Sequence, residues 1–166
     1  YGPMLPVLSR DVYHVGSSAN GLLISAGGLG AMTGGLLLSA IASRVENRGR
    51  WIILLVGLQG ILLGSLALHS TYPLAVATLL VMGAVGGSTV ALITAIIQEM
   101  VAPELRGRVM GFFLLTFISF PSVGSFVLGV IGDRTSIQWA LGLFAAVIVV
   151  LIGLISVRAP ALRQAS

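Results

Sequence analysis

The 166-residue sequence has no cysteine, no lysine and very little charge. Without cysteine, the chain can form neither disulfides nor thiolate metal sites. Charged residues make up 8% of the chain, compared with about 25% in soluble globular domains. Because 57% of its residues are hydrophobic, the chain lacks the polar surface that keeps a folded domain in solution. The composition therefore argues against a soluble protein, and against nucleic-acid binding as the reason for the net charge of +4.

Five long runs contain no Asp, Glu, Lys, Arg or His: residues 22–42, 51–68, 74–97, 109–131 and 139–157. Each run is close to the length of about 20 residues that a helix needs to cross the hydrocarbon core of a bilayer. The strands of a membrane β-barrel would instead show alternating polarity over about ten residues, and these runs do not alternate. The predicted fold class is therefore an all-α polytopic membrane protein.

The ends of the chain and its first connection complete the predicted layout. Residues 1–8 are apolar but too short to span a membrane. We interpret them as the end of a truncated transmembrane helix, and the chain as a fragment. Residues 9–20 are predicted to form an outer loop, residues 21–158 to hold the five spans, and residues 159–166 to form a tail.

Arginine is divided unevenly between the two sets of connections. Seven fall in one set, namely Arg44, Arg48, Arg50, Arg106, Arg108, Arg158 and Arg163, whereas the other set holds Arg10 and Arg134. Basic residues in short loops favour the cytoplasmic face of a membrane. The first set and the C-terminus are therefore predicted to be cytoplasmic.

Few polar side chains lie inside the predicted spans. The candidates for a substrate pathway are Gln59, Ser88, Thr89 and Thr116. The amide of Gln59 is the most costly of these to place in lipid, so we expect it to face protein or a cavity. Hydroxyl groups in helices usually bond to their own backbone, and this alternative stays open for the other three. No ionisable residue falls at mid-membrane depth, so a proton-coupling carboxylate is expected elsewhere in the protein.

Glycine and proline mark predicted packing and hinge positions. The spacing of Gly30 and Gly34 lets helix backbones approach closely. Pro121 interrupts the fourth long run and is expected to kink or hinge that helix. Gly124 and Gly129 follow it in the same run and complete this group.

The stretch EMVAPELRGRVMGF, residues 99–112, places charges between two apolar runs. Pro103 suits the first turn of a helix, and Glu104 can pair with Arg108 four residues later. Glu99 is predicted to pair with Arg106 or Arg108. Together with the preceding basic loop, the stretch supplies the predicted cytoplasmic gating residues: Arg44, Arg48, Arg50, Glu99, Glu104, Arg106 and Arg108.

Two segments resemble the major facilitator superfamily. The loop SRVENRGR, residues 43–50, resembles its loop signature in the positions of Arg44, Gly49 and Arg50, with Ser43 where an Asp is usual. PELRGRVMG resembles the segment before the eleventh helix of exporters in this family, particularly the enterobactin-exporter-like branch. LPVLSRDVYHVGSSANGLLISAGGLGAMTGG is similar to the end of helix seven, the outer loop and helix eight of that branch.

The resemblance implies the C-terminal half of a twelve-helix permease, with its first helix truncated. Such a protein is expected to be a secondary transporter of the bacterial inner membrane, exporting a small amphipathic or hydrophobic molecule by proton-coupled alternating access. The expected partners are the bilayer, that substrate and the missing N-terminal six-helix half; no cofactor or metal is expected. A non-transporting membrane scaffold or accessory subunit is the open alternative. An intramembrane serine protease is disfavoured, because His14 and His69 both lie outside the spans.

Overall fold

The computed structural model describes residues 2, 5–13, 15–42, 45, 47–68, 71–134 and 137–158. All regular structure in these residues is helical, so the all-α fold class is confirmed. A single turn, α1 (Leu5–Val7), continues into a π-helical turn, Leu8–Val12. The long helices are α2 (Ser17–Ile41), α3 (Arg48–Leu68), α4 (Tyr72–Met100), α5 (Arg106–Arg134) and α6 (Ile137–Arg158).

Four of the helices are long and apolar enough to cross a membrane: Ser17–Ile41, Arg48–Leu68, Tyr72–Met100 and Arg106–Ile131. Trp139–Leu154 in α6 forms a shorter apolar helix. No part of the apolar window of α5 is buried inside the described bundle, and Phe112, Ile118 and Phe120 on different sides of α5 are all exposed. A helix that is apolar all round belongs in a nonpolar environment. The chain is therefore a multi-pass membrane protein.

Helix α2 begins earlier than the sequence suggested, since residues 9–20 were predicted to form a loop. The π-helical turn Leu8–Val12 occupies the first part of this segment, and α2 starts at Ser17. Gly16 has an extended backbone, with φ −76° and ψ 179°, and its carbonyl accepts the N–H of Ala19 at 3.1 Å. Polar residues at this point start the helix instead of ending it, because the first helical turn has unpaired N–H groups that tolerate a polar setting.

Helix α5 begins later than predicted. Pro103 lies in a turn and not in the helix, which starts at Arg106. The turn is closed by a hydrogen bond from the N–H of Leu105 to the carbonyl of Ala102, at 2.9 Å. Proline disfavours helical backbone angles at the residue before it, here Ala102. The chain therefore completes a separate turn before it enters α5.

The most extensive helix pair is α2 with α4. Gly30 and Gly34 lie so close to α4 that a Cβ atom on either would overlap its backbone, at the carbonyl oxygens of Leu80 and Ala84 respectively. Such close approach allows Cα–H groups to contact carbonyl oxygens across the interface. Only glycine fits at these two positions without moving the helices apart.

The same relationship holds in the opposite direction. A Cβ atom on Gly83 or Gly87 of α4 would overlap the carbonyl oxygen of Gly27 or Ala31 of α2. The four glycines, which we call the glycine seam, are Gly30, Gly34, Gly83 and Gly87. Each helix therefore contributes two glycines that receive the backbone of the other, as expected where packing drives helix association in lipid.

The buried core lies at the end of the bundle where α4 begins. Its fully buried large side chains include Leu8, Leu23, Leu66, Leu79, Met82 and Leu141. Tyr13 and Tyr72 meet edge to face there, with ring centroids 6.3 Å apart. We call the opposite end, where α3 begins and α4 ends, the arginine-rich end because Arg48, Arg106 and Arg108 lie there.

Candidate functional site

A cavity of about 740 Å³ lies among α2, α3, α4 and α5. Helix α4 lines it between Gly83 and Ile93, and α2 contributes Ala31 and Gly35. Among the described residues that line it, none is charged. Small-molecule sites are typically mainly apolar and about 300–1,000 Å³ in volume, so the cavity has the size of a binding site.

The position of Gln59 along α3 gives the depth of the cavity. Helix α3 begins at Arg48, and a rise of 1.5 Å per residue puts Gln59 about 16 Å further along the helix axis. That is about half of the 30 Å hydrocarbon thickness of a typical bilayer. The cavity therefore lies near the middle of the membrane.

The side chain of Gln59 faces this cavity from α3 and rests against α4. A Cβ atom built on Gly86 would lie 3.6 Å from its Nε2 and 3.8 Å from its Oε1. The Oε1 atom is buried and has no hydrogen-bond partner among the described residues. Burying an amide oxygen without a partner costs about 1–3 kcal/mol. Such an atom calls for an explanation, and a ligand group is one.

Thr89 joins Gln59 on the cavity wall. Its hydroxyl donates to the carbonyl oxygen of Val85 in the same helix, at 2.8 Å. The Thr89 oxygen keeps its capacity to accept a hydrogen bond, while its proton is already used. The structure thus brings two of the four predicted pathway residues together.

The other two predicted pathway residues do not line the cavity. Ser88 donates from Oγ to the carbonyl oxygen of Gly34, at 3.1 Å, and so links α4 to α2 beside the glycine seam. Thr116 is exposed and donates to the carbonyl oxygen of Phe112 in its own helix, at 2.8 Å. These contacts are intramolecular and structural.

Two aromatic residues that sequence reasoning missed form the α5 side of the cavity. The rings of Phe113 and Phe117 stack with centroids 6.0 Å apart and an angle of 26° between their planes. Their four-residue spacing places them on one face of the helix. Phe120 has the spacing of the same face and Phe112 and Phe126 fall on others, so spacing alone did not single out this pair.

An ion pair joins two helices at the arginine-rich end. Nη1 of Arg48 lies 2.5 Å from Oε2 of Glu99, and Nε of Arg48 donates to the carbonyl oxygen of Val45 at 3.3 Å. The prediction that Glu99 pairs with Arg106 or Arg108 is therefore wrong. Arg48 and Glu99 come together only in the folded bundle. The prediction considered only arginines close to Glu99 in sequence and therefore missed this partner.

The remaining charged residues of the predicted gating group are more exposed. Arg106 donates from Nε to the carbonyl oxygen of Val101 at 3.1 Å. Glu104 and Arg108 have no charged partner within the part of the chain that the structure describes. The Glu104–Arg108 helical pair does not form, because α5 begins only at Arg106. Arg50 lies beside a separate apolar groove between α3 and α6.

The predicted hinge residues lie in the exposed helix α5. Pro121 is inside this helix, and the hydroxyl of Ser125 donates to its carbonyl oxygen at 2.6 Å. A Cβ atom on Gly124 would meet nothing within 4 Å, so Gly124 does not act as a packing residue in the described bundle. Gly129 lies further along the same helix. Arg44, which we predicted to be a gating residue, lies outside the described residues.

A second polar cluster, also missed from the sequence, lies at the end opposite the arginine-rich end. The hydroxyl of Tyr72 donates to the carbonyl oxygen of Ala19 at 2.9 Å. The hydroxyl of Tyr13 and Oδ1 of Asn20 are buried without a partner among the described residues. Burial raises the pKa of the Tyr13 hydroxyl above its usual value, so this group is neutral at physiological pH.

Apolar helices surround a cavity whose described lining residues are uncharged, and they define a polytopic membrane protein. The family model of the Major Facilitator Superfamily matches residues 1–165, so the chain belongs to that superfamily. The protein is thus a transporter of the major facilitator type. No curated protein and no solved structure matches the chain.

Proposed function

We propose that the protein is a secondary active transporter that exports a small amphipathic or hydrophobic molecule by alternating access. The observation that carries this proposal is the cavity of about 740 Å³ near the middle of the membrane, whose lining is uncharged in the part of the chain that the structure describes. Transporter sites lie near the bilayer midplane, where two halves of the protein rock about the bound substrate. An apolar cavity suits a substrate held by packing and a few hydrogen bonds.

The described helices correspond, in this proposal, to the C-terminal half of a permease similar to the enterobactin-exporter-like branch. An N-terminal six-helix half would complete the cavity and cover the exposed apolar surface of α5. The excess of arginine in one set of connections supports a cytoplasmic C-terminus, and the resemblance to that branch is the ground for placing the protein in a bacterial inner membrane.

Proton coupling is part of the proposal. Proton relays in membranes are usually buried carboxylates. Among the described residues, the cavity has no carboxylate, and Glu99 lies at a helix end in its ion pair with Arg48. We therefore assign the coupling carboxylate to the N-terminal half.

Flux in proteoliposomes tests the proposal. The full-length protein is reconstituted, a proton gradient is imposed, and the movement of candidate hydrophobic drugs and siderophores is followed. We expect the substrate to move in the direction opposite to the proton flow. This flux should stop when a protonophore collapses the proton gradient. A substrate flux that is unchanged by the protonophore would contradict proton coupling. No flux of any candidate by correctly inserted protein would instead favour the non-transporting scaffold.

A further inference from the structure

The lining of the cavity limits the charge of its ligand. No charged side chain lies among the described lining residues, and most of them are glycine, alanine, valine, isoleucine or phenylalanine. A charged group moved from water into such surroundings is strongly penalised unless an opposite charge or several hydrogen bonds compensate it. The described walls offer neither kind of compensation to an ion. They favour an uncharged ligand.

Two side chains supply hydrogen-bonding capacity to the described walls of the cavity, and of these only Gln59 has a buried oxygen without a partner among the described residues. Gln59 and Thr89 are the polar side chains of the described lining. The hydroxyl of Thr89 already donates its hydrogen bond to the carbonyl oxygen of Val85. Oε1 of Gln59 has no partner among the described residues. It is also enclosed, so the amide must turn before a ligand can reach it. The last torsion of glutamine is broad, and Gly86 opposite the amide presents no side chain to obstruct such a turn.

The shape of the cavity favours a flat, aromatic ligand body. One wall is the stacked pair Phe113 and Phe117, whose planes differ by 26°. On α4, Gly86 lines the cavity beside Gln59, while Gly83 and Gly87 pack against α2 and contribute backbone to the lining. Aromatic rings gain energy from offset or edge contacts with other rings beyond the area they bury. A flat ring system placed between these walls would contact both.

We propose that Gln59 recognises a single N–H or O–H group on an uncharged, mainly aromatic substrate. This inference rests on the proposed transport function, since it names the chemical class that the same cavity takes. The amide oxygen accepts from the ligand the hydrogen bond that no described residue supplies, and the aromatic and glycine walls hold the apolar body. One group of the ligand sets its orientation while packing supplies most of the contact.

A matched pair of neutral probes tests the role of Gln59. N-phenyl-1-naphthylamine carries one N–H, and its N-methylated form lacks that donor. Binding to the protein in lipid nanodiscs is followed by energy transfer from Trp51, which lies on the same helix about 12 Å from Gln59 along the axis. Subtracting the signal of a Trp51→Phe protein separates bound probe from probe dissolved in lipid.

We expect the unsubstituted protein to bind the N–H probe about 3–10-fold more tightly than the N-methyl probe, as one neutral hydrogen bond allows. Gln59→Leu should remove this preference while leaving the affinity for the N-methyl probe within about twofold. Gln59→Met provides a second apolar substitution of similar length if the leucine protein is poorly folded. Ser65→Ala is the control on the same helix, because its hydroxyl is bonded to Leu62 and lies outside this cavity.

Three results would overturn the proposal: no preference between the probes in the unsubstituted protein, a preference that survives Gln59→Leu and Gln59→Met, or no saturable transfer from Trp51. Stronger displacement of the probe by the permanent cation tetraphenylphosphonium than by unlabelled neutral amine would also overturn it. Failure of the transport proposal appears differently. Protein that binds the N–H probe through Gln59 but moves no substrate retains the recognition site and loses only the assigned function.

Discussion

The guanidinium group of Arg48, at the start of α3, contacts the carboxylate of Glu99, near the end of α4. The arginine side chain is 18% exposed and the glutamate side chain 60% exposed. Because the glutamate is largely exposed, solvent screens the pair, and ion pairs at a surface contribute about 0.2–1 kcal/mol, which is too little to hold the fold together. The same energy changes the ratio of two conformations about 1.4–5-fold, so the pair is suited to biasing a conformational equilibrium.

Neutralising this ion pair should alter transport without altering insertion. Arg48→Gln and Glu99→Gln are each expected to change the transport rate about 1.4–5-fold, and the double substitution should do no more than either alone. Initial rates in proteoliposomes, normalised to inserted protein, measure the effect. Glu104→Gln and Arg108→Gln are the controls, since neither residue has a charged partner in the described structure. Additive effects of the two substitutions would contradict a shared role.

Adding one methyl group to the glycine seam should destabilise the bundle. Gly34→Ala places a Cβ atom against the backbone of Ala84, and overpacking of this kind costs about 1–3 kcal/mol. Gly28→Ala on the same helix is the matched control, because a Cβ atom there meets nothing within 4 Å. Unfolding by denaturant in detergent micelles compares the two. Equal losses in both proteins would mean that the close approach of the helices does not limit stability.

Ser88 and Thr89 are adjacent, yet they should respond differently to loss of the hydroxyl. Ser88→Ala removes the interhelical bond to Gly34, worth about 0.6 kcal/mol on average in membrane proteins, and should leave probe affinity unchanged. Thr89→Val keeps the shape of the side chain but removes a hydroxyl from the cavity wall. We expect it to affect binding more than stability. Paired measurements of unfolding and probe affinity decide this, and the reverse pattern would return Ser88 to the substrate pathway.

Replacing Pro121 should stiffen α5. Proline in a helix interior removes one backbone hydrogen bond and crowds the preceding turn, so Pro121→Ala restores a regular helix. We expect a similar or higher unfolding midpoint together with a lower transport rate. Pro73→Ala is the control, because Pro73 is in the first turn of α4, where a missing N–H costs little. A transport rate unchanged by Pro121→Ala would show that α5 does not bend there during transport.

Much of the fold is predictable from the sequence because the bilayer imposes a simple rule on length and polarity. Every uncharged run coincides with a long helix. Helix ends were less predictable: α2 starts within the predicted polar loop, and Pro103 precedes α5 instead of entering it. Local polarity marks where a chain leaves lipid, while local hydrogen bonding decides where a helix starts, and the two points differ by several residues.

Glycine spacing predicted close packing but not the partner. Gly30 and Gly34 receive the backbone of α4, whereas Gly60, which has the same four-residue spacing to Gly64, faces the side chain of Ile148 on α6. A Cβ atom on Gly60 would lie 2.9 Å from Cγ2 of Ile148, which is a flexible contact compared with backbone overlap. The pattern in one helix contains no information on which neighbour fills the groove.

The candidate site likewise has features that single residues predict and features that depend on how the helices pack. Gln59 could be singled out from the sequence because the cost of an amide in lipid is a property of one residue. Arg48 and Glu99 could not be paired, since 51 residues separate them and their contact depends on how α3 and α4 cross. The aromatic wall has the same limitation, because only the folded bundle shows which phenylalanine face meets the cavity.

The reciprocal arrangement of the glycine seam also selects the register in which α2 and α4 assemble. A one-residue screw of α2, about 1.5 Å along its axis with a rotation of about 100°, would bring Leu29 and Thr33 to the places of Gly30 and Gly34, against a backbone that leaves no room for a side chain. Misregistered pairs are thus rejected by steric exclusion and not by loss of attraction. After insertion, α2 and α4 can therefore sample different registers in the bilayer. The stable register is the one in which the glycines of both helices lie against the backbone of the other helix.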